Sequence, residues 1–116
     1  MFAAYLTVTL VTIAANAGIA AADLARARFV LANSAEVGVP VSWLPRLAAL
    51  KLAGAGGLLL GLVGVPLLGI AAATGLMLFF TGAIVTHMRA GVIYNLYFPG
   101  AYWLLALACL VLAALE

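Results

Sequence analysis

Between Arg46 and Arg89 the chain reads RLAALKLAGAGGLLLGLVGVPLLGIAAATGLMLFFTGAIVTHMR, and Lys51 is the only charged side chain between those two arginines. The stretch predicts two apolar spans joined by a very tight turn at Gly64-Val65-Pro66, with the remaining charge at the two open ends. A hairpin of this kind belongs in lipid. Soluble chains devote about a quarter of their residues to charge, whereas this one has 7% charged and 69% hydrophobic residues. At about 20 residues per membrane crossing, 116 residues accommodate four helices with short connections and leave no room for a second domain. The expected fold class is all-α, an integral membrane four-helix up-and-down bundle forming a single transmembrane domain over residues 1–116.

The helices are expected at about 2–22, 46–63, 66–86 and 99–115. Ala20-Ala21-Ala22 resembles a signal-peptide cleavage site, but Met1-Phe2-Ala3-Ala4 lacks the basic start of a signal peptide, so the first span reads as a mature helix. Its polar residues Tyr5, Thr9, Thr12, Asn16 and Asp23 fall at offsets of 0, 4, 7, 11 and 18, on one helical face. Threonines bond their own backbone in lipid, but an Asn amide there needs an outside partner, which turns the stripe toward the bundle interior. An interhelical packing seam explains the same stripe without a ligand.

Residues 23–45 form a polar connection, whose first half either extends the first helix or lies as a short interfacial helix. Gly38, Pro40 and Pro45 break it, and Pro45 suits the first turn of the second span. In that span Lys51, Gly54, Gly57 and Gly61 share a face, which in lipid is first of all a close-packing surface. Lys51 lies about 20 Å along the helix from the turn, which leaves about 10 Å to the other surface of a roughly 30 Å core. It either faces the interior or snorkels to the headgroups. Tyr94, Tyr97, Phe98, Tyr102 and Trp103 form an aromatic belt beyond the third span.

All five Lys and Arg residues (Arg26, Arg28, Arg46, Lys51 and Arg89) lie in or near the 1–2 and 3–4 connections. The positive-inside rule therefore places both connections in the cytoplasm and both termini outside. Asn16 is then expected about 10 Å deep, level with Lys51, beneath a rim of Asp23, Arg46, His87 and Arg89. A single Cys excludes an internal disulfide and a Cys-only metal site, and a single His excludes a bis-histidine haem within one chain. No metal site and no catalytic constellation emerges from spacing, and no broad basic face suggests nucleic acid.

The helix 2–3 unit, with its Gly-rich second helix, the Pro after a tight turn and a small-residue third helix ending GAIVTHMR, resembles the DoxX-like family of small four-helix membrane proteins. The likeness extends over roughly residues 5–112 and is densest over 46–89. It implies a link to membrane redox chemistry, through relatives similar to the membrane subunit of a thiosulfate–quinone oxidoreductase. Another branch looks like a membrane-protein assembly factor. The family's acidic residue is replaced here by Lys51, so no carboxylate role carries over to that position.

Two functions follow as expectations. In one, Asn16, Lys51, His87, Arg89, Arg46, Tyr94 and Trp103 line a site for a quinone or a bound lipid, in an accessory to redox chemistry. In the other, the chain is a non-catalytic scaffold whose small-residue faces and polar stripe bind other membrane proteins or a second copy. The lipid bilayer is the expected partner in both.

Overall fold

The computed structural model describes residues 2–116, and every regular element among them is helical. Four of the five α-helices are long. α1 spans Phe2–Leu24, α3 Leu44–Leu62, α4 Pro66–Arg89 and α5 Tyr97–Leu115, while α2 is a nine-residue helix over Arg28–Glu36. A 3₁₀ turn, Val41–Trp43, leads into α3. The four long segments, with that turn counted into the second, are long and apolar enough to cross a membrane. The longest dimension, 40 Å, exceeds the roughly 30 Å hydrocarbon core.

The helices begin and end where the backbone chemistry dictates. Pro45 and Pro66 occupy the first turns of α3 and α4, where a missing N–H costs no helical bond. The ends share another device. Gly38, Gly64 and Gly91 all have positive φ, and the next residue's N–H bonds back five residues in each case, to Ser34, Leu60 and His87. This is the αL termination that glycine favours. α1 ends the same way, with Ala27 N–H bonded to Ala22 O, but the residue at positive φ is Arg26. A β-carbon in that conformation costs of order 1–2 kcal/mol, so neighbouring contacts must hold the break in place. α4 runs one turn past the expected end, bringing His87 and Arg89 into its last turn, and α5 starts two residues before Pro99.

α1 packs on α3 and α5, and α4 packs on the same two, so the long helices form a ring in chain order, the up-and-down bundle. Its polarity is inverted relative to a soluble bundle. Leu10, Leu67 and Leu104 lie exposed outside. Tyr5, Thr9, Thr12, Asn16 and Asp23 are all buried inside. The outward hydroxyls of Thr74, Thr81 and Thr86 bond carbonyls four residues earlier and so need no water.

The α3–α4 hairpin is tightest at its turn and widens away from it. A β-carbon on Gly61 would lie 2.6 Å from Gly69 Cα, one on Gly57 2.7 Å from Ala72 Cβ, and one on Gly54 2.5 Å from the Leu76 side chain. The material between the helices thus grows from backbone, through a methyl, to a leucine, and the bundle opens toward Lys51. The core around Leu58, Ala73, Leu76, Phe80, Ala106 and Cys109 fills its middle. A second cluster of Ile19, Val30 and Leu44 seats α2 across the open end.

This close approach makes a specific prediction for thermal unfolding in detergent. Gly61→Ala forces two backbones apart and is expected to cost about 1–3 kcal/mol. Gly56→Ala, whose added carbon meets nothing within 4 Å, is expected to be neutral or to stabilise by up to about 1 kcal/mol. Equal effects at the two positions would contradict the backbone contact.

Candidate functional site

The widened end of the bundle encloses a cavity of about 740 Å³. Its walls are largely apolar, from Leu47, Leu50, Leu78, Phe79 and Phe80 on α3 and α4, with Phe29 and Val30 of α2 and Phe98 at the start of α5. Polar groups cluster within it: Asp23, Asn33, Glu36, Lys51, His87, Tyr94 and Asn95.

Lys51 sits where α3 passes the last turn of α1. Its ammonium donates to Asp23 Oδ2 at 2.7 Å, and the two side chains are 10% and 4% exposed. The ammonium also lies 5.6 Å from the centroid of the Phe79 ring, within cation–π range. A lone ammonium in this setting would be penalised by several kcal/mol, and the pairing offsets that penalty. Lys51 therefore faces inward.

His87 is buried at the same end. Its Nδ1 lies 2.9 Å from Ala83 O, and its Nε2 lies 3.1 Å from the side-chain oxygen of Asn33. Asn95 Nδ2 donates to that same oxygen at 3.1 Å. The imidazolium donates from both nitrogens. The neutral ring donates from Nδ1 to Ala83 and accepts at Nε2 from the Asn33 amide turned over. Asn95 Oδ1 is buried with no partner.

Farther out, the Tyr94 hydroxyl donates to both oxygens of Glu36, at 2.6 and 2.8 Å. That hydrogen bond, followed by slight desolvation and the carboxylate's charge, raises the phenol above its ordinary pKa of 10.0. The two contacts, Asn33 with His87 and Asn95, and Glu36 with Tyr94, tie α2 to α4 and to the connection after it, across 54 to 62 residues of sequence.

Of the residues singled out from sequence, Lys51, His87 and Tyr94 line this cavity and the others do not. Asn16 is fully buried, with its Nδ2 donating to Thr12 O at 3.0 Å and its Oδ1 unpartnered. It sits seven residues from Asp23, about 10 Å along α1. The Lys51 ammonium thus meets the polar stripe at its Asp23 end, where the carboxylate is the anion within its reach. Arg46 and Arg89 are exposed and are not part of the lining. Trp103 donates to Thr81 Oγ1 at 3.0 Å.

Asn33 and Asn95 drew no attention in sequence, Glu36 counted only toward the polarity of the 1–2 connection, and Asp23 was expected in the α1 stripe and at the rim. Asp23 had a readable signal. A lysine within a span needs an anion, and of the three acidic residues, Asp23, Glu36 and Glu116, Asp23 alone continues the buried stripe of α1. Asn33 and Asn95 carried no comparable signal, since only the folding back of α2 brings them to His87.

Four apolar helices packed as a bundle around an interior ion pair define a polytopic membrane protein. The DoxX-like family model matches residues 7–110 of the chain. The chain belongs to that family and is a multi-pass membrane protein. No curated protein and no solved structure matches it.

Proposed function

We propose that this DoxX-like protein holds a quinone or a lipid-like amphiphile in the cavity and serves as an accessory to membrane redox chemistry. The observation that carries the reading is the cavity of about 740 Å³, within the range of about 300–1,000 Å³ usual for small-molecule sites and built like them, mostly apolar with a few convergent polar groups. The apolar walls take the tail, and the Lys51 and His87 end takes the headgroup. Lys51 has three N–H donors, one of them committed to Asp23. His87 lines the same cavity, with its Nε2 at the Asn33 side-chain oxygen. A bound quinone would contribute two-electron chemistry, with the electrons exchanged through a partner protein.

A scaffold role draws on two surfaces that this fold uses internally. The Gly54, Gly57 and Gly61 face packs on α4, and the polar stripe of α1 is buried. The cavity reading is therefore preferred.

The same reading places the cavity end, with Arg26, Arg28, Arg46 and Arg89, in the cytoplasm and both termini outside. A phosphatase that works only outside the cytoplasm is expected to be active when fused after Glu116 and inactive when inserted at 38–40. The reverse pattern would invert the assignment.

Protein extracted in uncharged detergent is expected to carry an isoprenoid or lipid detectable by mass spectrometry. A short-chain quinone at about 100 times its Kd should stabilise it by about 2.7 kcal/mol, read as a rise in Tm. Gly82 lines the cavity, and an added β-carbon there meets nothing within 4 Å. Gly82→Phe should therefore fill the cavity, abolish the quinone shift and leave the protein folded. Absence of any co-purified amphiphile, together with no quinone shift in the wild type, would sink the proposal.

A further inference from the structure

Lys51 and Asp23 neutralise each other at the deep end of the cavity. Among the described residues, Lys51 is the only lysine or arginine in the lining, and its ammonium is 2.7 Å from Asp23 Oδ2. The other carboxylate in the lining, Glu36, belongs to an exposed residue and receives the Tyr94 hydroxyl. His87 has one nitrogen at Ala83 O and the other at the Asn33 amide. A headgroup reaching the deep end meets a closed ion pair and hydrogen-bonding groups, with no free charge to answer its own.

We infer that the cavity accepts amphiphiles with uncharged, hydrogen-bonding headgroups and rejects ionised ones of the same tail, and that Asp23 is the residue that sets this preference. The inference rests on the cavity being a ligand site, as proposed above. An anionic headgroup has to draw Lys51 away from Asp23, which leaves a nearly enclosed carboxylate without its cation. A cationic headgroup has to draw Asp23 from Lys51, with the converse result. Either exchange leaves a third charge uncompensated where charges are poorly solvated. An uncharged headgroup leaves the pair intact and accepts from the spare N–H donors of Lys51. Asp23 thereby turns a lysine that would attract anions into a neutral donor.

Three probes with one tail separate the cases: oleyl alcohol, oleate and oleylamine, measured by native mass spectrometry in uncharged detergent at a pH where the last two are ionised. Wild-type protein is expected to bind the alcohol at least about tenfold more tightly than either ion, the scale set by an uncompensated buried charge. Asp23→Asn frees the Lys51 charge and should improve oleate relative to the alcohol by about tenfold or more. The double variant Asp23→Asn/Lys51→Met removes both charges and should keep the alcohol first. Oleate or oleylamine binding the wild type as well as the alcohol would overturn the inference, as would an unchanged oleate-to-alcohol ratio in Asp23→Asn. If Asp23→Asn does not fold, the wild-type ranking and the double variant decide. Binding of the alcohol without discrimination defeats the selectivity alone, whereas no binding of any probe defeats the cavity reading with it.

Discussion

A lysine and an aspartate nearly enclosed at one end of an apolar bundle set the terms for the rest of this structure. Lys51 and Asp23 lie 28 residues apart in sequence and meet at 2.7 Å. Either charge alone in that place is penalised by several kcal/mol, so each needs the other. The pair pins the last turn of α1 to the middle of α3. It does so where the α3–α4 hairpin has begun to widen, beyond the Gly54, Gly57 and Gly61 contacts. The glycines draw the helices together at the turn, and Leu76 and Phe79 hold them apart nearer the lysine. A cavity follows at the wide end, with the ion pair as its polar landmark.

What closes that end is a piece of chain with little intrinsic preference for its position. α2 has nine residues, and an isolated helix shorter than about 12–15 residues is marginal. It is held by packing of Val30 with Ile19 and Leu44, and by polar contacts from Asn33 to His87 and Asn95 and from Glu36 to Tyr94. The break that frees it from α1 falls at Arg26, three residues after Asp23, in a backbone conformation that glycine would adopt more easily. The strain at Arg26 is thus the local consequence of ending α1 just beyond its anion. Among the described residues it is the one helix end where the positive-φ position is not glycine.

The sequence made the membrane class, the four spans, the tight turn and the inward stripe of α1 legible because each rests on a short-range pattern. A run of apolar residues, a Gly-Val-Pro turn and a period of 3.6 need no tertiary information. The glycine face of α3 was legible as a packing surface, and its partner proved to be α4 in the same chain. The site was only half legible. Lys51 stood out because a charge in a span has few explanations, and His87 because it is the only histidine. Of their partners, Asp23 carried a signal as the one acid on the α1 stripe, whereas Asn33 depends on how the chain turns between α1 and α3. Arg46 and Arg89, expected at a rim, are exposed and lie outside the cavity lining. Asn16 stayed within the stripe, bonded to its own helix, because no donor from another helix reaches its Oδ1.

The cavity lies at one end of the bundle, and both proposals for function depend on the ion pair being formed there. The most direct test is a double-mutant cycle on unfolding in detergent. Asp23→Asn and Lys51→Met should each destabilise by about 3–5 kcal/mol, since each leaves one nearly enclosed charge unpaired. The double variant should recover most of that loss, with a coupling energy well above the roughly 0.5 kcal/mol scatter of independent sites. Additive losses would mean that the two charges do not meet, and the account built on them would fail.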